Sequence, residues 1–182
     1  MCNIIAKSFW GSQGYFFKNT PEPPEARLQI VASQRVTTGG MVAVDKVMRA
    51  TVRVPIVHNR RVLLVRRSAV PGGRESWEFP GGGLEFGESV DGCIAREVME
   101  EVGLKVDVGE HLATFTTLLN PRLQLVLIYK LAFSVTDAVV LSHEHQDFRW
   151  MRLSEVEDLL RPTVVEEMLR EGIFQRLQHY ID

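Results

Sequence analysis

Three glutamates, Glu97, Glu100 and Glu101, stand at i, i+3 and i+4 in a stretch where Val90, Ile94, Val98 and Val102 recur at every fourth position. That recurrence predicts a helix over 89–102 with one apolar face, and Gly103 supplies its C-terminal stop. The spacing puts all three carboxylates on one side of the helix. Like charges so placed each cost roughly 0.2–0.5 kcal/mol. They also lie in the half of the helix where the macrodipole disfavours anions. Local physics therefore opposes the cluster unless something positive compensates. A hard divalent cation would do so, since magnesium takes oxygen ligands, often two carboxylates with substrate phosphate and water. The competing reading is a solvated acidic face, which is common on helices.

The residues ahead of the helix shift the balance towards a ligand. Phe79-Pro80-Gly81-Gly82-Gly83 ends a short strand at Trp77-Glu78-Phe79. Glycines let the backbone approach a ligand closely, and a carbonyl there is a hard oxygen donor. Read alone, the same run is only a flexible turn.

Elsewhere, Thr51–Val57 and Arg61–Val65 are β-rich and joined by Asn59-Arg60, which predicts a hairpin. Pro71-Gly72-Gly73 reads as a loop. Strands are expected at about 112–119 and 123–133 with Asn120-Pro121 as the turn, and at Phe148–Met151. A short helix should start at Ser154 and end before Pro162. Thr163 with Glu166 forms a capping-box pattern for a last helix running to about 178. Strands, one acidic helix, more strands and C-terminal helices imply an α+β layered domain with a mixed sheet between helices. Residues 1–50 read as an N-terminal extension of uncertain structure, with prolines at 21, 23 and 24, and residues 51–182 as the domain.

Composition narrows the partners. The formal net charge of -2 gives no long-range pull on nucleic acid or an anionic membrane, so a substrate anion must be met by a few placed cations. Two cysteines, Cys2 and Cys93, make no disulfide framework. A reducing cytoplasm is the simplest reading, and no stretch approaches the roughly 18 apolar residues that span a bilayer.

The run from Gly82 to Leu104 resembles the Nudix box: Gly82, five residues, Glu88, seven residues, Arg96-Glu97, an aliphatic, any residue, Glu100-Glu101, any residue, Gly103, an aliphatic. Every defined position is filled. Leu63-Leu64-Val65-Arg66-Arg67, the lead-in Trp77–Gly82, and Glu144-His145-Gln146-Asp147-Phe148-Arg149-Trp150 are similar to the usual context, so the likeness spans about 51–160.

The resemblance implies an α/β/α sandwich with a mixed central sheet and a magnesium-dependent pyrophosphohydrolase (manganese is also open). It acts on a small nucleotide, with water as nucleophile. It implies Glu97, Glu100 and Glu101 as metal ligands, with the Gly81 carbonyl added. Glu97 or Glu101 is the first candidate for general base, and Glu144 or His145 the next. Glu88, Gly82 and Gly103 are supporting residues, and Arg96 would orient the carboxylates by bidentate hydrogen bonds. Arg66 or Arg67 would grip a phosphate. Trp77, Phe79 and Trp150 could stack on a base, although aromatics on strands more often pack in a core. Cys93 simply packs.

The leading substrate is a nucleoside triphosphate. The alternatives are a nucleotide sugar, ADP-ribose or a dinucleoside polyphosphate, or a sensing module that no longer cleaves. No basic patch supports a long RNA partner, and a homodimer is left open.

Overall fold

The apolar residues of β3 alternate between two cores, and this alternation builds the layers. In a computed structural model, residues 46–68 and 76–181 are described. The elements are β1 (Val47–Arg53), β2 (Ile56–His58), β3 (Arg61–Arg67), β4 (Trp77–Glu78), α1 (Val90–Val102), β5 (Val106–Asn120), β6 (Leu123–Ser134), β7 (His145–Met151), α2 (Leu153–Leu159), α3 (Pro162–Arg170) and α4 (Ile173–Ile181). Leu63 and Val65 pack with Ile94, Val98 and Val102 of α1. Val62 and Leu64 pack with Val156, Met168 and Leu177 of α2, α3 and α4. Each fully buried Val, Leu or Ile contributes roughly 1.5–3 kcal/mol. The result is the expected α/β/α sandwich.

The sheet is mixed. β6 pairs in parallel with β1 and with β2, and antiparallel with β5. β3 pairs antiparallel with β2 near its start, with β4 near its end and with β7 along its length. The single strand expected over 51–57 is two strands, split at Val54 and Pro55, and it begins at Val47, ahead of Thr51. Pro55 has no N–H to give a ladder. At this split the sheet forks, and the Pro80–Leu84 segment lies against β1. Val54 N–H donates to Pro80 O (2.8 Å), Val52 N–H to Gly82 O (2.9 Å) and Leu84 N–H to Ala50 O (3.0 Å).

Local signals behaved unevenly. The Asn59-Arg60 turn has both residues at positive φ, as a two-residue hairpin turn of this hand requires. The Asn120-Pro121 turn also forms, with Arg122 N–H donating to Asn120 Oδ1 at 2.9 Å. The strand expected from 112 starts at Val106, and the strand expected from Phe148 starts at His145. The last helix is two helices, interrupted at Gly172, whose φ is 70°. Thr163 does not cap it. Pro162 occupies the first helical position, which its fixed φ suits, so Arg161 is the cap residue. The Pro71-Gly72-Gly73 loop and most of the N-terminal extension lie outside the described residues.

Candidate active site

The helix α1 is fixed at both ends by its own sequence. Ser89 Oγ accepts from Gly92 N–H at 3.0 Å, and Gly103, at φ 67°, donates to Met99 O at 3.1 Å. Its buried face includes Cys93, Ile94, Val98 and Val102, together with Glu101. One carboxylate is thus carried into the apolar layer beside the sheet fork.

The glycines make room for it. Gly81 sits at φ 140°, and a Cβ there would strike the Val52 carbonyl. Its N–H donates to Glu101 Oε2 at 2.8 Å. A Cβ on Gly82 would overlap the Glu97 carboxylate. The flexible-turn reading of the glycine run therefore gives way to a specific one, in which the loop backbone is pressed against two glutamates.

Arg96 organises the opposite side. Its Nε and Nη2 donate to the two oxygens of Glu88 at 2.9 and 3.0 Å, a bidentate pair. Its Nη1 reaches Glu97 at 2.8 Å and Glu100 at 3.4 Å, and Nη2 also reaches Gly83 O at 3.1 Å. The Glu88 carboxyl is held below its usual range by Arg96, against the opposing effect of burial. Arg96 thus contacts three carboxylates of this stretch at once.

Burial pushes the Glu101 carboxyl up to about 7, against the Gly81 N–H, and Glu97 adds to the rise. Glu97 is also raised, by burial first, with Glu100 and Glu144 adding to it and Arg96 opposing. Burial likewise disfavours the Glu78 charge, yet His145, Arg53 and Arg67 outweigh it and hold this carboxyl low. His145 is 4% exposed, and neither ring nitrogen has a hydrogen-bond partner. Its Nε2 lies 3.9 Å from both Glu78 Oε1 and Glu101 Oε1, so it stands between two carboxylates without bonding either. Burial drives the Cys93 thiol up to about 12, consistent with simple packing.

The structure separates the remaining candidates. Arg67 bridges Glu144 (3.2 Å) and Glu78 (3.4 Å), which places Glu144 at the rim of the cluster. Arg66, one residue earlier, is on the other face of the sheet. It meets Asp147 at 3.7 Å and lies 5.8 Å from the Trp77 ring centroid. Arg149 stacks on the same ring at 4.9 Å. Of the two arginines, one of which was expected to grip a phosphate, strand alternation thus puts Arg67 on the box side and Arg66 on the opposite face. The Gly81 carbonyl accepts from Arg53 Nη1 at 2.9 Å, so a cation already faces this expected metal ligand.

Sequence reasoning missed Glu78 and Arg53. Glu78 sits between Trp77 and Phe79, and alternation alone could have assigned it the opposite face. Arg53 also lies 3.7 Å from Glu78. Both line a cavity of about 320 Å³ between the sheet and α3, along with Trp77, Tyr129, Arg161 and Glu167.

These donors fit a hard divalent cation. Glu78, Glu88, Glu97, Glu100, Glu101 and Glu144 face Arg53, Arg67 and Arg96, six carboxylates to three guanidiniums. Repulsion and burial already strain Glu97 and Glu101 towards protonation. Among the described residues no three acidic, histidine or cysteine side chains form a ready-made cage. Magnesium does not need one, because it commonly uses one or two carboxylates with water and substrate phosphates. No described helix is long and apolar enough to cross a membrane.

The sequence pattern of the NUDIX domain matches residues 47–171. The CTP pyrophosphohydrolase of Escherichia coli (strain K12) is 33% identical over 97 residues, covering 52% of this chain and 69% of that protein. The RNA pyrophosphohydrolase of Teredinibacter turnerae is 43% identical over 68 residues, but this covers only 37% of this chain and 38% of that protein. The crystal structure of the MutT protein from Methanosarcina mazei Go1 superposes with a TM-score of 0.61 at 26% identity, covering 74% of this chain and 95% of that one.

Proposed function

The chain belongs to the NUDIX domain family, and on that premise we propose that it is a magnesium-dependent pyrophosphohydrolase acting on a nucleoside triphosphate. Water attacks the diphosphate linkage, giving a nucleoside monophosphate and pyrophosphate. The observation that carries this reading is the buried Glu101, anchored by Gly81 N–H and raised to about 7. A carboxylate with that affinity for a proton suits a general base working near neutral pH.

The other residues divide the remaining work. Glu97 and Glu100 would hold the metal with substrate phosphates. A bound cation would neutralise phosphate charge and lower the pKa of water. Arg96 holds Glu97 and Glu100 in place, and Arg67 offers a guanidinium to a phosphate at the rim. The nucleoside would lie in the cavity beyond Glu78 and Arg53, where Trp77 supplies an apolar wall.

The test is a panel of nucleoside triphosphates, ADP-ribose, GDP-mannose, diadenosine polyphosphates and a 5′-triphosphorylated oligoribonucleotide. Each is incubated with magnesium, with EDTA, and with Glu100→Gln. Metal-dependent release of monophosphate from a triphosphate, lost in the variant, is the expected result. Turnover confined to another member of the panel would replace the substrate assignment. Binding with no turnover anywhere would replace hydrolysis with nucleotide sensing.

A further inference from the structure

At the far end of β3 from the acidic cluster, three arginines line one cavity. Arg60, Arg61 and Arg152, with Asn59 and Ile181, surround a volume of about 300 Å³. Strand β3 runs from Arg61 to Arg67, so this cavity is roughly 20 Å from Arg67 at 3.4 Å per residue. It is a separate place from the candidate active site.

Among the described residues none of these three guanidiniums has a carboxylate partner. Arg61 Nη1 touches only the Trp150 carbonyl, at 3.4 Å. Arg152 takes part through its backbone N–H, which donates to Glu155. Three like charges around one small volume repel each other unless an anion joins them.

The backbone gives a second and independent sign. Arg60 sits at φ 61°, in the left-handed region, as the second residue of the hairpin turn. A two-residue turn of this kind strongly prefers glycine there, because a Cβ is strained in that conformation. The chain instead carries arginine, and this residue lines the cavity. A local rule broken in this way points to a use for the side chain.

The chemistry of the lining selects the ligand. Of the five residues around the cavity, only Ile181 is apolar and none is aromatic, so the lining is dominated by charge. Guanidiniums match oxyanions through paired N–H groups. Three of them suit a multiply charged anion with several oxygens better than a single carboxylate.

We propose that Arg60, Arg61 and Arg152 form an oligophosphate-binding site, distinct from the catalytic cluster, that takes a pyrophosphate-like group. The proposal stands independently of the hydrolase reading. The phosphate could belong to inorganic pyrophosphate or to the terminal groups of a nucleotide, and the two share the same recognition.

Calorimetric titration of the full chain with inorganic pyrophosphate, in EDTA, tests this directly. A parallel titration uses ADP, and another uses sulfate. We expect saturable pyrophosphate binding that survives Glu100→Gln, and much weaker sulfate binding. Arg152→Ala should weaken pyrophosphate binding about 10–100-fold, the effect of one lost charge-assisted contact. Arg60→Gly should weaken it similarly while raising the melting temperature by about 2–4 °C, because the turn strain is relieved. ADP binding with the same sensitivity to Arg60→Gly would identify a nucleotide's phosphates as an accepted source. Its absence would restrict the site to the free anion. Equal binding of sulfate, or pyrophosphate binding indifferent to both substitutions, would overturn the proposal.

Discussion

The two faces of the sheet differ in how they combine charge with burial. The α1 face brings carboxylates of one continuous segment against glycine backbone, and Arg96 ties three of them together. The α2–α4 face is a mostly apolar wall with a cavity whose polar lining includes Arg53 of β1, Tyr129 of β6, and Arg161 and Glu167 at α3, three separate places in the chain. The first arrangement is strained without a counter-charge. The second is comfortable but incomplete, because it encloses space. The proposed function puts the chemical step on the strained face and molecular fit on the other, and each substitution below separates the two.

The largest expected effect comes from neutralising the strained face. Glu101→Gln should lower kcat by about 10²–10⁴-fold, the usual contribution of a positioned general base. The same change should leave stability equal or higher, because a buried charge short of partners is replaced by a neutral group. Steady-state kinetics with a thermal melt of the metal-free protein would show this. A fall in both activity and stability would mean that Glu101 serves the fold instead of the reaction.

Gly82→Ala should come next. The new Cβ would overlap the Glu97 carboxylate, which must then leave its Arg96 contact. A misplaced group at a reacting centre costs on the order of 100-fold in rate. Gly83→Ala is the matched control, since nothing lies within 4 Å of a Cβ there. If both variants lose the same activity, loop flexibility and not the close approach is what matters.

These two predictions rest on the part of the molecule that was readable from its sequence, and the reason is physical. α1 carries its own periodicity, its own N-cap and its own glycine stop, so helix and carboxylate cluster are set within a short segment. Glu78, Arg53 and Tyr129 reach their places only through pairings between distant strands, such as Arg53 opposite Tyr129 in β1 and β6. Nothing local marks them. The Thr163 cap failed for a related reason, because a stronger neighbouring signal, Pro162, started the helix earlier.

The raised carboxyl of Glu101 gives a pH signature. Its folded pKa, about 7, lies above the ordinary carboxylate value of 4.5. The folded state therefore binds the proton more tightly than the unfolded chain. The resulting stability is fully present below about 4.5 and is lost as pH rises through about 7. The loss is at most about 3 kcal/mol, from 1.36 kcal/mol per unit. Melting temperature in EDTA should fall between pH 5 and 8, and Glu101→Gln should flatten that fall. Excess magnesium should flatten it too, since the metal favours the ionised cluster. A melt insensitive to pH in EDTA would break the argument that the α1 face is the strained one.

The smallest effect is the sharpest test of the two-face comparison, because it uses adjacent residues of one type. Arg67 contacts Glu144 and Glu78 on the α1 side, while Arg66 lies with Asp147 and Trp77 on the other. Arg67→Ala removes a guanidinium at the rim of the carboxylate cluster, where the proposed function puts a phosphate, so kcat/KM should fall about 10-fold, the size of one charge-assisted contact. Arg66→Ala keeps that rim intact, and its pair with Asp147 is one-third exposed. Pairs of that kind contribute only about 0–1 kcal/mol, so the loss should stay within roughly 3-fold in kcat/KM. Equal losses would mean that a phosphate reaches across the sheet edge to both arginines, and a larger loss at Arg66 would move the substrate's charged end to the α2–α4 face.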